Sequence, residues 1–572
     1  MSKAINIYQV FTRLFRNDNQ TNKPFGAIEE NGCSKYSHFT PFVLQSLKDF
    51  GITHIWFTGV IRHATCTSYE NFGLPANNSL IVKGVAGSPY AITDYYDVDP
   101  DLADEPHNRM YEFESMIDRC HRIGLKVIID FVPNHVARQY ESKNLPTGLT
   151  NLGANDLCDH AFSPSNNFYY MPGQQFRVPD GINFPYTIGP DSYTEFPAKA
   201  TGNDAFTAHP GINDWYETIK LNYGVDYQNN RLYHFDPIPD TWLKMLDIMN
   251  FWSQKGVDAL RCDMAEMVPV DFWAWALPKV KSKNKEIIFI AEVYNPGEYS
   301  NFLAAGFDYL YDKVGLYDIL RELIEGRGST KNITLLWQRY EGYSHKMLRF
   351  LENHDEQRIA SSQFAGNPWK AFPAMILAAT LNTGPLMIYF GQEVGEKADD
   401  SEGYSGKDGR TTIFDYWCVK DYQKWVNGGR VNNDLLNEEQ KQIRNFYLKL
   451  NHLRLGSKAI HSGSFYDLMW VNTNLLNQDK IYAFIRFQQE EVLLIVLNFD
   501  VNSACDIYLR IPADAFHSAG LSMEKELHGY ELIDQRLKIT FRPEDANNQG
   551  IPIHLAKNSG LVFKLNNPQI FM

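Results

Sequence analysis

The chain has 572 residues, which is too long for one hydrophobic core and indicates two or three domains. Hydrophobic residues make up 44% and charged residues 21%, the balance of a soluble globular protein. The formal net charge is −14, so the chain should repel nucleic acids and anionic membranes, and a neutral substrate fits it better than a polyanion.

The N-terminal segment and the cysteines predict where the protein works. Residues 1–15 lack the basic stretch, apolar run and small residues of a signal peptide. No apolar run is long enough to span a membrane. The seven cysteines show no CxxC spacing, which is typical of free thiols in a reducing compartment. Together these features predict a cytoplasmic protein.

Up to about residue 455 the sequence alternates between strand-like and helix-like segments. INIYQVF at 5–11 predicts a strand, and FVLQSLKDFG at 42–51 predicts a helix that stops at its final glycine. HIWFTGV at 54–60 predicts a strand that is buried on both faces. In all, eight strands are predicted, starting near residues 5, 54, 126, 257, 287, 307, 346 and 385. Eight strands that alternate with helices predict a parallel (β/α)8 barrel, the TIM-barrel fold.

One insertion interrupts this alternation after His135. About one hundred residues there lack helical periodicity and are rich in Gly, Pro, Asn and Tyr, as in a functional excursion or a small separate domain. We therefore predict a barrel formed by 1–135 and 236–458, with an inserted domain over 136–235. Short alternating segments separated by turn residues predict a C-terminal antiparallel β-sandwich over 459–572.

Several acids and an arginine end consecutive strands of the predicted barrel. The strings that carry them are DFVPNH at 130–135, GVDALRCD at 256–263, FIAEV at 289–293 and FLENHD at 350–355. One acid at a strand end more often caps a helix, but several at successive strand ends indicate a site, because barrel enzymes build their sites at that edge. Cleavage of a glycosidic bond uses two carboxyl groups, for which Asp263 and Glu292 are candidates. Arg261 shares a strand face with Asp263 and would keep it ionised.

These four strings resemble, in order and spacing, the conserved regions of the α-amylase superfamily, glycoside hydrolase family 13. The resemblance covers about residues 1–460, and SPYAITDYYDVDP at 88–100 and PLMIYFGQEVG at 385–395 are similar to further motifs of that family. It implies a barrel with an inserted B domain after the third strand and a C-terminal β domain. It also implies a retaining hydrolase that cleaves α-glucosidic bonds, mainly α-1,4, in starch-like glucans or maltooligosaccharides.

The resemblance assigns the catalytic roles. Asp263 would be the nucleophile that forms the glycosyl-enzyme intermediate, and Glu292 would act first as general acid and then as general base. Asp355 would hydrogen-bond sugar hydroxyls and favour a distorted ring, and Arg261 would hold Asp263. In retaining enzymes the two reacting carboxyl groups lie roughly 5 to 5.5 Å apart.

The resemblance also assigns substrate-binding roles. His135 and His354 would bind hydroxyls of the sugar on the non-reducing side of the cleaved bond, and Tyr90 would stack on that sugar. Asp130 would support the site from the third strand.

The chain departs from the family pattern at two places. Many α-amylases carry Lys-His three and four residues after the nucleophile, where this chain has Glu266 and Met267, so its preference for the leaving-group sugar is open. The fifth motif reads IKLN at 219–222, and Lys220 stands where some members place a calcium-binding aspartate. Asn134 matches a frequent calcium ligand, but a lysine opposes a site that needs six to eight oxygens. No cofactor is required, and calcium remains an option at Asn134.

Aromatic residues in the insertion have two interpretations. They would serve either as platforms for pyranose rings or as the insertion's own small core. The residues concerned are Phe168, Tyr169, Tyr170, Phe176, Phe184 and Tyr186.

Two alternative functions stay open at this point. One is a transglycosylase or an exo-acting α-glucosidase or oligo-1,6-glucosidase of the same family, with the same three acids. The other is a catalytically silent amylase-like binding protein, which the retained acids disfavour. The sequence does not fix the oligomeric state.

Overall fold

The computed structural model describes residues 4–182 and 192–566, and its central feature is a closed barrel of eight parallel strands. The strands, labelled β1 to β8 in chain order, are Asn6–Phe11, His54–Thr58, Lys126–Phe131, Ala259–Cys262, Ile288–Ala291, Tyr309–Tyr311, Met347–Leu348 and Leu386–Tyr389. Neighbours in sequence pair in parallel, β1 also pairs with β8, and a bridge from Arg349 to Leu386 joins β7 to β8. The predicted (β/α)8 fold is confirmed.

Helices cover the outside of the barrel. The longer ones are Pro41–Asp49, Arg109–Ile123, Asp240–Gln254, Val270–Lys283, Tyr299–Ala305, Asp318–Ile324, Lys331–Arg339, Phe372–Thr380, Lys420–Val426 and Glu438–Gly456. The helix Arg109–Ile123 shows why they form: it buries Phe113, Met116 and Cys120 at helical spacing, and Gly124 ends it with a left-handed φ of 79°.

A buried hydrophobic cluster lies inside the barrel, and every strand contributes one residue to it. These residues are Ile7, Trp56, Ile128, Ala259, Ile290, Tyr311, Leu348 and Met387. Successive side chains of a strand point to opposite faces, so the residues two positions further on also face inward, nearer the carboxyl end. This periodicity aims Asp130, Arg261 and Glu292 into the mouth of the barrel.

The insertion after β3 is held by short antiparallel ladders. His135–Ala137 pairs with Thr218–Lys220, and Tyr170–Met171 pairs with Ala198–Lys199. The aromatic residues at 168, 169, 170 and 176 are at most 4% exposed, so their packing interpretation is confirmed. Phe184 and Tyr186 lie outside the described residues.

The C-terminal part is an antiparallel β structure, as predicted. Six strands form one sheet in the order Ser464–Asp467, Ile481–Gln488, Glu491–Asn498, Ser559–Asn566, Leu527–Glu531 and Lys538–Phe541. Cys505–Leu509 and Ile551–Leu555 form a second, two-stranded sheet. The first of these strands has four residues, because the chain turns after Asp467.

Within residues 4–182 and 192–566, no helix combines the length and the apolar character needed to cross a membrane.

Candidate active site

Arg261 is the centre of the site at the mouth of the barrel. Its guanidinium is fully buried, and Nη1 donates to Asp263 Oδ1 at 2.6 Å and to Asp130 Oδ1 at 3.3 Å. Nη2 lies 2.8 Å from Glu292 Oε2. Three carboxyl groups from three consecutive strands thus surround one permanent positive charge, and all three are at most 6% exposed. Full ionisation of the three acids would leave two negative charges uncompensated, which is unfavourable at low dielectric.

The balance of burial and charge is clearest at Asp263. Burial raises the pKa of Asp263 to about 8, and Glu292 and Asp130 act in the same direction, while Arg261 opposes them. Burial also raises the pKa of Asp130, again against the effect of Arg261. The site therefore retains a proton near neutral pH. Because neighbouring carboxyl groups titrate together, that proton belongs to the cluster as a whole.

Glu292 is held by donors on both of its oxygens. The backbone N–H of Met264 donates to Oε2 at 2.7 Å, and the Tyr294 hydroxyl donates to Oε1 at 2.6 Å. Met264 adopts a left-handed backbone conformation, with φ of 43°, directly after Asp263. This conformation is uncommon outside glycine, and here it accompanies the turn of the Met264 N–H toward Glu292.

Asp355 differs from the other acids because its side chain is 45% exposed. Desolvation raises the pKa of Asp355. His354, which is 3.1 Å away, and the more distant Arg261 and Arg410 outweigh this effect and lower the pKa to about 2. Burial lowers the pKa of His354, and Asp355 more than reverses this and raises it overall. The structure therefore presents an ionised carboxylate beside an imidazole whose pKa that carboxylate raises.

Tyr90 and His135 border this pair on the side of the insertion. The Tyr90 ring stacks on the His354 imidazole with centroids 5.2 Å apart, and its hydroxyl hydrogen-bonds His354 Nε2. His135 contacts the backbone of Tyr90, and burial, with Lys220 and Lys83, lowers the pKa of His135 to about 3, so this imidazole is neutral. The structure thus brings together all eight predicted catalytic and substrate-binding residues; their roles remain predictions.

Four further side chains belong to the site and were not predicted from the sequence. Trp56 donates its indole N–H to Asp130 at 3.0 Å, and the Tyr311 hydroxyl accepts from Arg261 at 3.2 Å. Gln9 Nε2 lies 2.8 Å from His354 Nδ1, and Arg410 donates to the backbone carbonyl of Asp355. Trp56, Tyr311 and Gln9 lie in strands, where apolar runs indicate packing and give no sign of a hydrogen-bonding role.

Asn134, the candidate calcium ligand, is occupied by other contacts. Its Oδ1 accepts from Lys220 Nζ at 2.8 Å, and its amide nitrogen donates to the carbonyl of Gly202. Lys220 is buried, and its Nζ also lies 2.6 Å from Asp204 Oδ1. An ammonium group thus stands between the oxygens that a calcium ion would need. Within the described ranges, no group of three or more His, Cys, Asp or Glu side chains could hold a metal ion. The residues present at Asn134 do not fit calcium.

Comparison with known proteins gives a consistent result. The model of the α-amylase catalytic domain matches residues 40–304, and that of the α-amylase C-terminal all-beta domain matches residues 470–566. The chain is 23% identical to neopullulanase 2 of Thermoactinomyces vulgaris, over 95% of this chain and 77% of that protein. It is 21% identical to a cyclomaltodextrinase of a Bacillus species, over 86% of this chain and 72% of that protein.

Solved structures share the fold. A maltogenic α-amylase from Thermotoga neapolitana superposes with a TM-score of 0.61 at 20% identity, covering 99% of both chains. Together with the two domain matches and the arrangement around Arg261, this identifies the chain as a member of the α-amylase family, glycoside hydrolase family 13, and as a glycosidase.

Proposed function

We propose that the protein hydrolyses α-glucosidic bonds, mainly α-1,4, in starch-like glucans or maltooligosaccharides, with retention of configuration. The observation that carries the proposal is the pair of buried carboxyl groups, Asp263 and Glu292, on one guanidinium at the mouth of the barrel. That pair supplies a nucleophile and an acid side by side, as a retaining double displacement requires. The names of the relatives, which include a neopullulanase and a cyclomaltodextrinase, support α-glucans as the substrate class.

In the first step, an oxygen of ionised Asp263 attacks the anomeric carbon of the glucosyl unit. The bond from that carbon to the glycosidic oxygen breaks, and Glu292 gives its proton to the departing oxygen. The product is an ester between Asp263 and the sugar, and the leaving chain gains a free hydroxyl. Arg261 opposes the effect of burial on Asp263 and so favours the ionised form that attacks, and the proton that the cluster retains is the one given to the departing oxygen.

In the second step, Glu292 acts as a base. It removes a proton from water, the water oxygen attacks the anomeric carbon, and the ester bond to Asp263 breaks. Both groups return to their starting states, and two inversions leave the configuration unchanged. The Asp355 carboxylate and the His354 imidazole can hydrogen-bond sugar hydroxyls, and Tyr90 offers a ring for stacking beside them.

We also propose that this activity needs no calcium at Asn134, because Lys220 supplies the positive charge there.

The decisive experiment is incubation with maltoheptaose, pullulan and β-cyclodextrin, with Asp263→Asn as the control, followed by chromatography of the products over time. We expect short maltooligosaccharides with the wild type alone, and proton NMR should show the α-anomer first. Products longer than the substrate would identify a transglycosylase, and glucose or maltose as the sole early product would indicate exo action. Equal activity of Asp263→Asn would overturn the mechanism, and no reaction on any substrate would favour the silent binding protein.

A further inference from the structure

The loop that follows β5 contains two contacts that the reaction scheme above does not use. The Tyr294 hydroxyl reaches Glu292 Oε1 at 2.6 Å. The Glu266 carboxylate accepts the backbone N–H groups of Tyr294 and Asn295, both at 2.9 Å through Oε2. Glu266 thus fixes the backbone of the residue whose side chain contacts the general acid.

The contacts of Glu292 show which of its oxygens carries the proton. Oε2 accepts from the Met264 N–H at 2.7 Å and lies 2.8 Å from Arg261 Nη2. The Met264 N–H uses a lone pair of Oε2, and a proton on that oxygen would lie against the positive charge of Arg261. The acidic proton therefore belongs on Oε1, the oxygen whose protein partner is Tyr294. The proton that reaches the departing sugar oxygen then leaves from Oε1.

We propose that Tyr294 is a positioning residue for proton transfer by Glu292, and that Glu266 acts through it by fixing the 294–295 backbone. A phenol hydroxyl suits this place because it can donate to the lone pair that Oε1 keeps while its own proton goes to the sugar oxygen in the first step, and to the carboxylate in the second. Burial, reinforced by Glu292, raises the pKa of Tyr294 well above its ordinary value, so the hydroxyl keeps its own proton throughout.

This inference gives Glu266 a role that its position in the family pattern does not suggest. It stands where many α-amylases have the lysine of a Lys-His pair that helps to bind the leaving-group sugar. Here the side chain is turned onto the backbone of the loop that carries Tyr294. The chain therefore has, at this position, a residue that orders the general acid's surroundings.

The test rests on the proposed hydrolysis and uses the substrate on which the wild type is active. Tyr294→Phe removes only the hydroxyl, so kcat should fall about tenfold with little change in KM, since one hydrogen bond to a charged group is lost. The basic limb of the kcat/KM profile should move to higher pH, because ionised Glu292 has lost a donor. Glu266→Ala should cause a smaller change in the same direction, and Glu266→Gln, which keeps an acceptor oxygen, should restore the wild-type profile.

The double variant Tyr294→Phe with Glu266→Ala separates positioning from general stability. If Glu266 acts through the Tyr294 hydroxyl, the double variant should show the same limb as Tyr294→Phe alone. Two matched controls lie in the C-terminal domain: Tyr466→Phe removes a hydroxyl bonded to the Asp514 carboxylate, and Glu531→Ala removes a carboxylate that accepts from the 533–535 backbone. Both should leave the profile unchanged.

Several outcomes would overturn the inference. They are an unmoved basic limb in Tyr294→Phe, a Glu266→Ala variant that lowers the melting temperature without moving the limb, and additive limb shifts in the double variant. Each leaves the proposed function intact, because the wild type would still hydrolyse the substrate and Asp263→Asn would not. Loss of the Asp263→Asn difference, in contrast, would overturn the proposed function itself.

Discussion

At the scale of single residues, the site depends on one buried cation shared by several acids. Arg261 contacts Asp130, Asp263 and Glu292, and the rings of Trp56 and Tyr311 lie within 5.5 Å of its guanidinium carbon. Arginine suits this place because it stays charged when buried and presents several donors in one plane. A lysine would offer one compact point charge without this planar set of donors.

Because Asp130 adds negative charge beside Asp263, its removal should change the pH dependence of the reaction. Asp130 raises the pKa of Asp263, so Asp130→Asn should lower it, and the nucleophile should then be ionised at lower pH. The acid limb of kcat/KM should therefore shift to lower pH, whatever the change in the maximal rate. The measurement is a pH profile of initial rates on a maltooligosaccharide.

A matched control for that variant is Asp467→Asn. Asp467 is also buried and also accepts from an indole N–H, that of Trp337, but it lies in the C-terminal domain. It should leave the limb in place. An acid limb of Asp130→Asn that coincides with the wild type, or that moves to higher pH, would contradict the proposed coupling.

The residues of the site differ in how far the sequence could predict them. Asp263, Glu292 and Asp355 follow apolar runs, so their position at strand ends is readable, and the family resemblance supplies their roles. Tyr294 and Glu266 could not be predicted as a pair, because their contact depends on the shape of a loop that no periodicity describes. The sequence showed Lys220 at the position where some family members have a calcium-binding aspartate. It did not show that Lys220 contacts Asn134 and Asp204.

At the scale of elements, the barrel strands were predictable, but the strand pairing inside the insertion was not. Each of the eight predicted strands lies within three residues of an observed one, because strands buried on both faces form short apolar runs bounded by turns. Even β7, which has two residues, agrees with the strand predicted to start near residue 346, in KMLRFLENHD at 346–355. The insertion instead consists of two- and three-residue ladders, which are too short to create a pattern, and its pairing joins residues about 80 positions apart.

Lys220 should stabilise the junction between the insertion and the barrel. Its strand pairs directly with His135, and its ammonium group satisfies Asn134 Oδ1 and contacts Asp204. Lys220→Met should therefore lower the free energy of unfolding by about 1 to 3 kcal/mol, because buried acceptors lose their partner. The wild-type melting temperature and activity should not change on addition of EDTA, since the Lys220 ammonium group supplies the positive charge there.

The control for Lys220→Met is Lys199→Met, in the same insertion. Lys199 forms a looser ion pair, with Nζ 3.9 Å from Glu195, and its side chain is 21% exposed, so its loss should have a small effect. A fall in the wild-type melting temperature with EDTA that calcium reverses would contradict the assignment. A Lys220→Met protein as stable as the wild type would contradict it as well.

At the scale of the whole molecule, the barrel and the C-terminal domain share one hydrophobic core. The same cluster of buried residues runs from Val10 in the barrel to Leu494 and Phe563 in the C-terminal sheet. The helix Phe372–Thr380 lies at this boundary, where Ile376 leaves no room for a Cβ at Gly560: such an atom would lie 2.8 Å from Ile376 Cδ1. A core continuous across the boundary indicates that the two parts unfold together.

Arg486 is a buried charged residue that links the barrel to the C-terminal part. Its replacement tests whether the two parts unfold together. It is 1% exposed, and its guanidinium donates to the carbonyl of Leu381 in the barrel at 2.7 Å and to those of Ala459, Ile460 and Gly463 at 2.8 to 3.0 Å. Burial lowers the pKa of Arg486 to about 9, so it remains charged at neutral pH.

Methionine at position 486 would fill part of the space with an apolar side chain. It would leave four carbonyl groups without their donor. Arg486→Met should therefore lower the melting temperature by about 5 °C or more, as measured by calorimetry at a fixed scan rate. The transition should stay single, because the shared core still couples the two parts. Arg536→Met, at an arginine whose side chain is 81% exposed, should leave the melting temperature unchanged. Two separate transitions in the wild type would show that the domains unfold independently, and an unshifted Arg486→Met would show that the carbonyls find other partners.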